Sequence, residues 1–433
     1  MSAVLSEPIL ATPDEDQTYR KLTWRLAPIL FACYVVAYID RVNVGFAKLR
    51  MLGDLHLSAA AYGFGAGLFF VGYFFFEVPS NLILYKVGAR KWIARIMVSW
   101  AVVSAATAFV DSTTTFYLAR FLLGAAEAGL FPGIVLYMTL WYPAKKRAHI
   151  LALFLAGIPI SGVIGGPVSG VILAFMNGVH GLSGWQWLYI IEAIPSLAIA
   201  IVVLLYLDDR VEDAEFLTER EKALLLEQVK YDNDNASSHS LRDGFLSPKV
   251  WFLCLVYFLF IAGLYGVGFW LPTLIENLGI ANPLHVGIIT AIPYAAGVVA
   301  MVIVSRSSDR KRERRWHLVI PGVIGTAGWL LSIAFHSDPV MAIISLSIAT
   351  AAVMVTIPQF WCLPSAMLAG AAAAAGIAVI NSVGNLSGFV TPWIIGLIID
   401  RSGSTSLGVY LLAAALFAGS MLVLLVSKKL VNR

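Results

Sequence analysis

A chain of 433 residues in which 59% are hydrophobic and 13% charged carries about half the charge of an ordinary soluble domain. That excludes a string of water-soluble domains and indicates an all-α polytopic membrane protein. The formal net charge of +4 calls for no nucleic-acid partner. The three cysteines, Cys33, Cys254 and Cys362, lie scattered in apolar segments with neither disulfide-framework nor metal-ligand spacing.

The first 19 residues hold four acids and no Lys or Arg, so no cleavable signal peptide is expected and the first span should remain in the mature protein. Apolar runs long enough to cross a hydrocarbon core of about 30 Å fall near 22–46, 59–84, 92–110, 115–141, 149–176 and 186–207. Six more follow near 250–276, 285–305, 317–336, 339–363, 370–399 and 406–427. Between the two sets lies one long polar stretch, 208–248. There Thr218 and Glu221 have capping-box spacing ahead of Leu224 to Leu226, which predicts a short surface helix and, after it, a disordered Asn/Ser-rich tail. The expected architecture is twelve transmembrane helices in two six-helix pseudo-symmetric halves, 22–207 and 249–427, with tails at 1–21 and 428–433.

Lys and Arg orient it, because cytoplasmic segments retain them. With both termini cytoplasmic, the outer loops keep only Lys48, Arg50 and Arg401 of the 30 Lys and Arg. Two basic turns, "NLILYKVGARK" at 81–91 and "SRSSDRKRERR" at 305–315, occupy equivalent places in the two sets. Halves with matching turns suggest a transporter whose site lies at the midplane.

Charges within the expected spans are Asp40, Arg41, Glu77, Arg120, Glu127 and Glu192. Each costs about 2.5–3.5 kcal/mol to insert on translocation scales, so each needs a partner, water or a function. Arg120 and Glu127 are two helical turns apart and share a face about 10 Å long, so both can line one cavity without pairing. Glu77, just before Pro79, and Glu192 read as structural, and a static brace is the alternative for the other four. All seven histidines fall in loops or at span ends, so a transported proton would need a carboxylate. A nearby Arg ties that proton to an anion, and Arg rather than Lys suits bidentate holding of a carboxylate. The second set adds Tyr265, Trp270, Gln359, Trp361, Asn381, Ser382 and Asn385 among Pro and Gly interruptions; Asn381 and Asn385 share a helix face. "IPISGVIGGPVSG" at 158–170 reads as a packing surface.

The segments "YIDRVNVGFA", "FFFEVPSNLILYKVGARKW", "RFLLGAAEAGLFPG", "YGVGFWLPTLI" and "NSVGNLSGFVTP" resemble the anion:cation symporter family of the major facilitator superfamily across nearly the whole chain. The resemblance implies the major facilitator fold, with Asp40 and Glu127 as proton-bearing carboxylates and Arg41 and Arg120 as the arginines that meet an organic anion. Tyr38, Tyr73 and Asn385 match positions that line the family's cavity. Tyr85 stands where the superfamily usually has an Asp, whereas Asp309 and Arg310 keep the usual pair. Sugar-acid members tend to carry a Gln in the fifth span, and "LAGIPISG" has none.

With Tyr265, Phe360, Trp361, Asn381 and Asn385 opposite, the expected substrate is a tartrate-like hydroxy acid or a small aromatic carboxylate. The function implied is proton-coupled import by alternating access, without a cofactor or metal, by a monomer in the bacterial inner membrane. An exchanger or exporter, or a sugar-acid importer, is the alternative within transport. A membrane enzyme lacks a nucleophile, metal cluster or phosphate loop in the spans, and intramembrane carboxylates speak against a non-transporting receptor.

Overall fold

Proline and glycine interrupt the apolar runs without ending them, so the helices come as straight rods and as rods broken once. The computed structural model describes residues 13–234, 247–367 and 371–432, and among these every regular element is a helix. The first crossing is α1 (Pro13–Val42) continued by α2 (Val44–Asp54), and the second is α3 (Ala59–Val87). Then come α4 (Ala89–Thr107), the pair α5 (Thr113–Glu127) and α6 (Leu130–Trp141), the pair α7 (Ala144–Leu155) and α8 (Gly157–Phe175), and α9 (Gly184–Tyr206). After the linker helix α10 (Glu219–Asp234), the second set is α11 (Pro248–Glu276), α12 (Pro283–Lys311), α13 (Trp316–Ala334) and α14 (Pro339–Met367). The pair α15 (Ala371–Asn385) and α16 (Ser387–Ser402), α17 (Ser406–Val423) and a short α18 (Lys428–Val431) close the chain.

Among the described residues, 11 of these rods are long and apolar enough to cross a membrane. The remaining expected crossing, α4, has 19 residues, about 28 Å of helix, and packs against α5 and α9. Arg90, Lys91 and Arg95 in its first two turns lower its hydropathy. The Arg95 guanidinium lies 3.9 Å from the Trp92 ring centroid, the posture of a basic side chain reaching for a membrane edge.

Helix starts follow their caps. Ser58 accepts from Ala61 N at the head of α3, Ser112 and Thr115 form a capping box on α5, and Pro283 follows the Asn282 cap of α12. Thr218 and Glu221 make the expected capping box on α10, with Thr218 N donating to Glu221 at 2.7 Å. That helix is tied to α1 by Lys21–Glu221 at 3.0 Å and Tyr19–Gln228 at 2.7 Å. The expected Asn/Ser-rich tail of the linker falls largely on 235–246, outside the described residues.

At the basic turn after α3, Tyr85 points outward, 78% exposed. The carboxylate that serves the start of α4 comes instead from Asp209, past the end of α9, accepting from Arg90 N at 2.8 Å. Gly88, at φ 98°, makes room for it: a Cβ there would meet Asp209 Oδ1 at 2.7 Å. In the second set Asp309 pairs with Arg314, and Glu313 accepts from the backbone N–H groups of Trp316 and His317. Partial burial pushes the Glu313 carboxyl up, but these donors and Asn432 hold it below the usual range.

The two sets meet where side chains are smallest. On α8, Gly166 and Gly170 lie against Gly287 and Pro283 of α12, and on α16, Gly396 lies against the Ala59 carbonyl. The 158–170 segment is therefore a packing surface, as its composition predicts. Asp400 of α16 accepts from Ala59 N and Ala60 N, both at 2.9 Å, so a carboxylate from one set caps a helix of the other. Tyr62 OH donates toward Phe269 O at 3.3 Å. These contacts lie at the helix ends remote from α10, and that end of the molecule is closed.

Within the first set, Gly124 of α5 packs so tightly that an added Cβ would sit 1.9 Å from Phe69 O. Gly124→Ala should cost about 1–3 kcal/mol by overpacking and lower the unfolding midpoint in detergent. Gly53→Ala, where a Cβ would meet nothing within 4 Å, should leave that midpoint unchanged or slightly raised.

Candidate functional site

Four of the crossings break at one residue or two, and at three of the breaks charged or amide side chains stand alongside. Asn43 separates α1 from α2 just after Asp40 and Arg41; Ala128 and Gly129 separate α5 from α6 just after Glu127. Ala156 divides α7 from α8, and Leu386 divides α15 from α16 just after Asn385. Broken helices at a common depth are how membrane carriers expose backbone and side chains to a buried site.

Neighbours on a helix point about 100° apart, and Asp40 and Arg41 diverge accordingly. Asp40, 1% exposed, turns into the first set, where it accepts from Trp100 Nε1 at 2.8 Å, Ser104 Oγ at 3.0 Å and Ser196 Oγ at 3.0 Å. Arg41 turns the other way and forms a buried ion pair with Glu127. Its guanidinium lies over the rings of Tyr38, Phe69 and Tyr73, within 5.5 Å of each centroid.

From this pair a hydrogen-bonded run crosses to the second set. Arg41 Nη1 donates to Tyr265 OH at 3.4 Å, and Tyr265 OH donates to Asn385 Oδ1 at 3.1 Å. Asn385 donates to Asn381 at 3.2 Å, and Asn381 donates to Glu77 Oε1 at 3.3 Å. Ser382 donates to the other Glu77 oxygen at 3.2 Å. The run begins at a carboxylate on α5 and ends at one on α3, passing through α1, α11 and α15.

Tyr38, Arg41, Tyr73, Tyr265, Trp361, Asn381 and Asn385 line one cavity between the sets. Its volume, about 30 Å³, accommodates roughly two waters. Arg120 does not reach the cavity. It is fully buried, its guanidinium lies 5.3 Å from the Phe69 ring that Arg41 also touches, and its Nη2 donates to Ala66 O at 3.4 Å. Nε and Nη1 of Arg120 and Nε of Arg41 have no acceptor. Three buried N–H donors without an acceptor, close to a cavity, suit an anion.

Local sequence reasoning missed two groups. Glu77 spans the two sets instead of bracing its own helix, and its partners stand 304 and 305 residues away. The sequence places Lys48 in an outer loop, but the first crossing runs to Asp54 and buries it, with Nζ 3.3 Å from the Trp270 ring centroid. Glu192, whose role reads as structural in the sequence, accepts from Ser169 of α8 at 2.7 Å. Gln359 donates to Ser305 at 3.1 Å, away from the cavity lining. Among the described residues no three His, Cys, Asp or Glu side chains gather as a metal ion would require.

Residues 30–392 match the family model described as Major Facilitator Superfamily. The chain belongs to that superfamily. It is 48% identical to the protein named "Putative metabolite transport protein NicT" of Pseudomonas putida, over 96% of this chain and 95% of that one. It is 47% identical to a "Putative tartrate transporter" of Agrobacterium vitis, over 96% and 92%. At 40% identity over 96% of each chain, it is also similar to the "Quinolone resistance transporter" of Acinetobacter baumannii. Among solved structures, a D-xylose-proton symporter shares the fold with a TM-score of 0.74 at 15% identity, covering 95% of this chain and 98% of that one. The partially occluded inward open conformation of the xylose transporter XylE from E. coli does so at 0.74 and 14%, covering 92% and 96%. This member of the superfamily is a multi-pass membrane transporter and not an enzyme.

The Tyr265 hydroxyl is the joint of the crossing run. Tyr265→Phe and Asn385→Ala should each lower the unfolding midpoint, because a buried polar group left unsatisfied costs about 1–3 kcal/mol. The double variant should lose less than the two single losses added together, since both act on one bond; full additivity would show that the run is not continuous.

Proposed function

We propose that this transporter is a proton-coupled importer of an organic carboxylate, working by alternating access. The observation that carries the reading is the buried Arg41–Glu127 pair, whose arginine lines the cavity. One guanidinium cannot hold two carboxylates in the same fork. Protonation of Glu127 releases Arg41 to a substrate carboxylate, and loss of that proton returns the pair and expels the anion. Proton and substrate are thereby bound together or not at all. Asp40, held among Trp100, Ser104 and Ser196, is the second proton carrier.

Arg120 supplies the second cationic arm. Its unpartnered N–H groups are one ring away from Arg41, and displacement of Phe69 as the cavity widens would bring both guanidinium groups onto one anion. Tyr38, Tyr73, Tyr265, Trp361, Asn381 and Asn385 form the walls. An aromatic wall with few amides suits a compact hydroxy acid or a small aromatic acid, and the relatives named for tartrate support the first. The halves, 22–207 and 249–427, rock about this site. The distribution of Lys and Arg supports an inner-membrane protein with both termini cytoplasmic, acting as a monomer.

Uptake of labelled tartrate and of labelled benzoate into proteoliposomes tests the reading. Accumulation is expected to follow an imposed pH gradient, acid outside, and to need no sodium. Uptake that ignores the gradient but responds to substrate preloaded inside would instead identify an exchanger.

Two variants separate the neighbours. Asp40→Asn should abolish gradient-driven accumulation while substrate binding persists. Arg41→Lys keeps the charge but loses the fork, so binding itself should weaken by about tenfold or more, the loss of roughly 1.4 kcal/mol or above expected when a bidentate contact becomes a point charge. Near-normal affinity in Arg41→Lys would show that Arg41 does not hold the carboxylate.

A further inference from the structure

A lysine with no carboxylate in contact lies on the seam between the two sets. Lys48 of α2 is 6% exposed, and among the described residues its ammonium contacts are aromatic: Nζ is 3.3 Å from the Trp270 ring centroid on α11 and 5.0 Å from that of Tyr62 on α3. Glu276, at the end of α11, is near enough to act on its charge but is shared with Arg50, and Asp54 is taken by Ser183 and Trp185. Ring faces offset only part of the cost of taking an ammonium out of water. The indole N–H of Trp270, itself 2% exposed, also has no acceptor.

The position of Lys48 follows from the helix. The break at Asn43 barely turns the chain: its backbone stays right-handed helical, its N–H donates to Ile39 O at 2.9 Å and its O accepts from Ala47 N at 2.8 Å. Seven residues beyond Arg41 is two turns, so Lys48 returns to the Arg41 face about 10 Å further toward the closed end. The contacts agree, because both side chains meet α11, Arg41 at Tyr265 and Lys48 at Trp270. Between the two levels the sets are sealed. A Cβ on Gly45 would sit 2.6 Å from Gly268 O, and Tyr62 OH lies 3.4 Å from Val44 O and 3.3 Å from Phe269 O. Lys48 stands just beyond this seal, in line with the substrate arginine on its inner side.

We propose that Lys48 is an outer receiving site for the carboxylate of the cargo, covered by Trp270 while the closed end stays shut and uncovered when the sets part there. This rests on the alternating-access reading above and adds a binding residue to it. α2 and α3 belong to the first set and α11 to the second, so parting leaves Lys48 and Tyr62 together and carries Trp270 away. The ammonium then takes an anion from the outside water, and the Trp270 N–H can donate to an oxygen of the same anion across the opening. Two turns inward the anion meets Arg41.

The residue types fit the order of events. An ammonium is a compact point charge that attracts an anion from a distance and releases it readily, whereas the guanidinium fork holds a carboxylate at two points. A lysine therefore suits the first contact and an arginine the second. As the sets close again, Trp270 returns to the face of Lys48 and competes with the anion for the ammonium, which favours its passage to Arg41.

Uptake of labelled tartrate into right-side-out membrane vesicles holding the full chain, measured at rising external salt, tests the assignment. The wild-type KM should rise with salt, because exposed charges are screened. Lys48→Met should raise KM at low salt by about tenfold, with the loss falling on KM rather than on the maximum rate, and should flatten the salt dependence; Lys48→Arg should keep it. If Lys48 only held the closed end shut, Lys48→Met would lower the maximum rate and leave the salt dependence as in the wild type, and that result would overturn the proposal. Lys48→Cys gives a second readout. An ammonium-bearing thiosulfonate added outside should bring KM back toward the wild-type value, and a neutral reagent of the same length should not. An introduced thiol that no external reagent reaches would overturn the proposal whichever acid is carried, and if benzoate is carried and tartrate is not, the same series with benzoate decides. If wild-type uptake ignores a pH gradient, the symport reading fails and the Lys48 result stands.

Discussion

The structure depends on the cost of holding a guanidinium group in hydrocarbon. Arg41 cannot leave the membrane's depth, because α1 runs on into α2 and the crossing is fixed at both ends. It must be neutralised where it stands. Glu127 does this from another helix, and around that pair the aromatic rings of Tyr38, Phe69 and Tyr73 take the remaining faces of the cation. Helix breaks at Asn43 and at Ala128 and Gly129 bring the two side chains to the same depth. Removing either partner would leave an uncompensated charge, so the pair can open only when something replaces the missing partner. In the function proposed above, that constraint is what links proton binding to substrate binding.

Much of this was legible in the sequence. The spans showed because the membrane demands long apolar runs, and the charges within them showed because they are few. Divergence of Asp40 from Arg41 followed from helical geometry, and the packing role of 158–170 from its small side chains. What stayed hidden was pairing across distance. Nothing near Glu77 announces Asn381 and Ser382, and nothing near Glu192 announces Ser169. Lys48 was misplaced because a lysine near a span's end ordinarily reaches for water, whereas here Trp270 offers its face. Arg120 shows the limit of sharing a helix face: two turns of separation put it on the Glu127 side of α5, but one intervening ring, Phe69, keeps it from the cavity.

The turn after α3 shows how a lost residue can be replaced from elsewhere. With Tyr85 in place of the acid, the start of α4 still receives a carboxylate, from Asp209 at the far end of the first set. The requirement lies in the N–H groups and positive end of the helix, and any acid that reaches them satisfies it. Gly88 records this arrangement in its backbone, since a side chain there would occupy the space that Asp209 uses.

The clasp of Asp400 on the head of α3 carries a kinetic implication. The N–H groups it covers belong to a helix end at the membrane's edge, where Ser58 already supplies one cap and water can take over the others at once. The hydrogen bonds that Glu77 accepts lie further in, on a buried carboxylate whose two donors are only partly exposed. The two locks between the sets therefore release on different terms. The outer one is a latch that thermal motion can work continually, and the inner one is a bolt that must find a new partner before it moves. Opening at the helix head therefore costs less than opening at the buried carboxylate, so the two contacts between the sets need not part together.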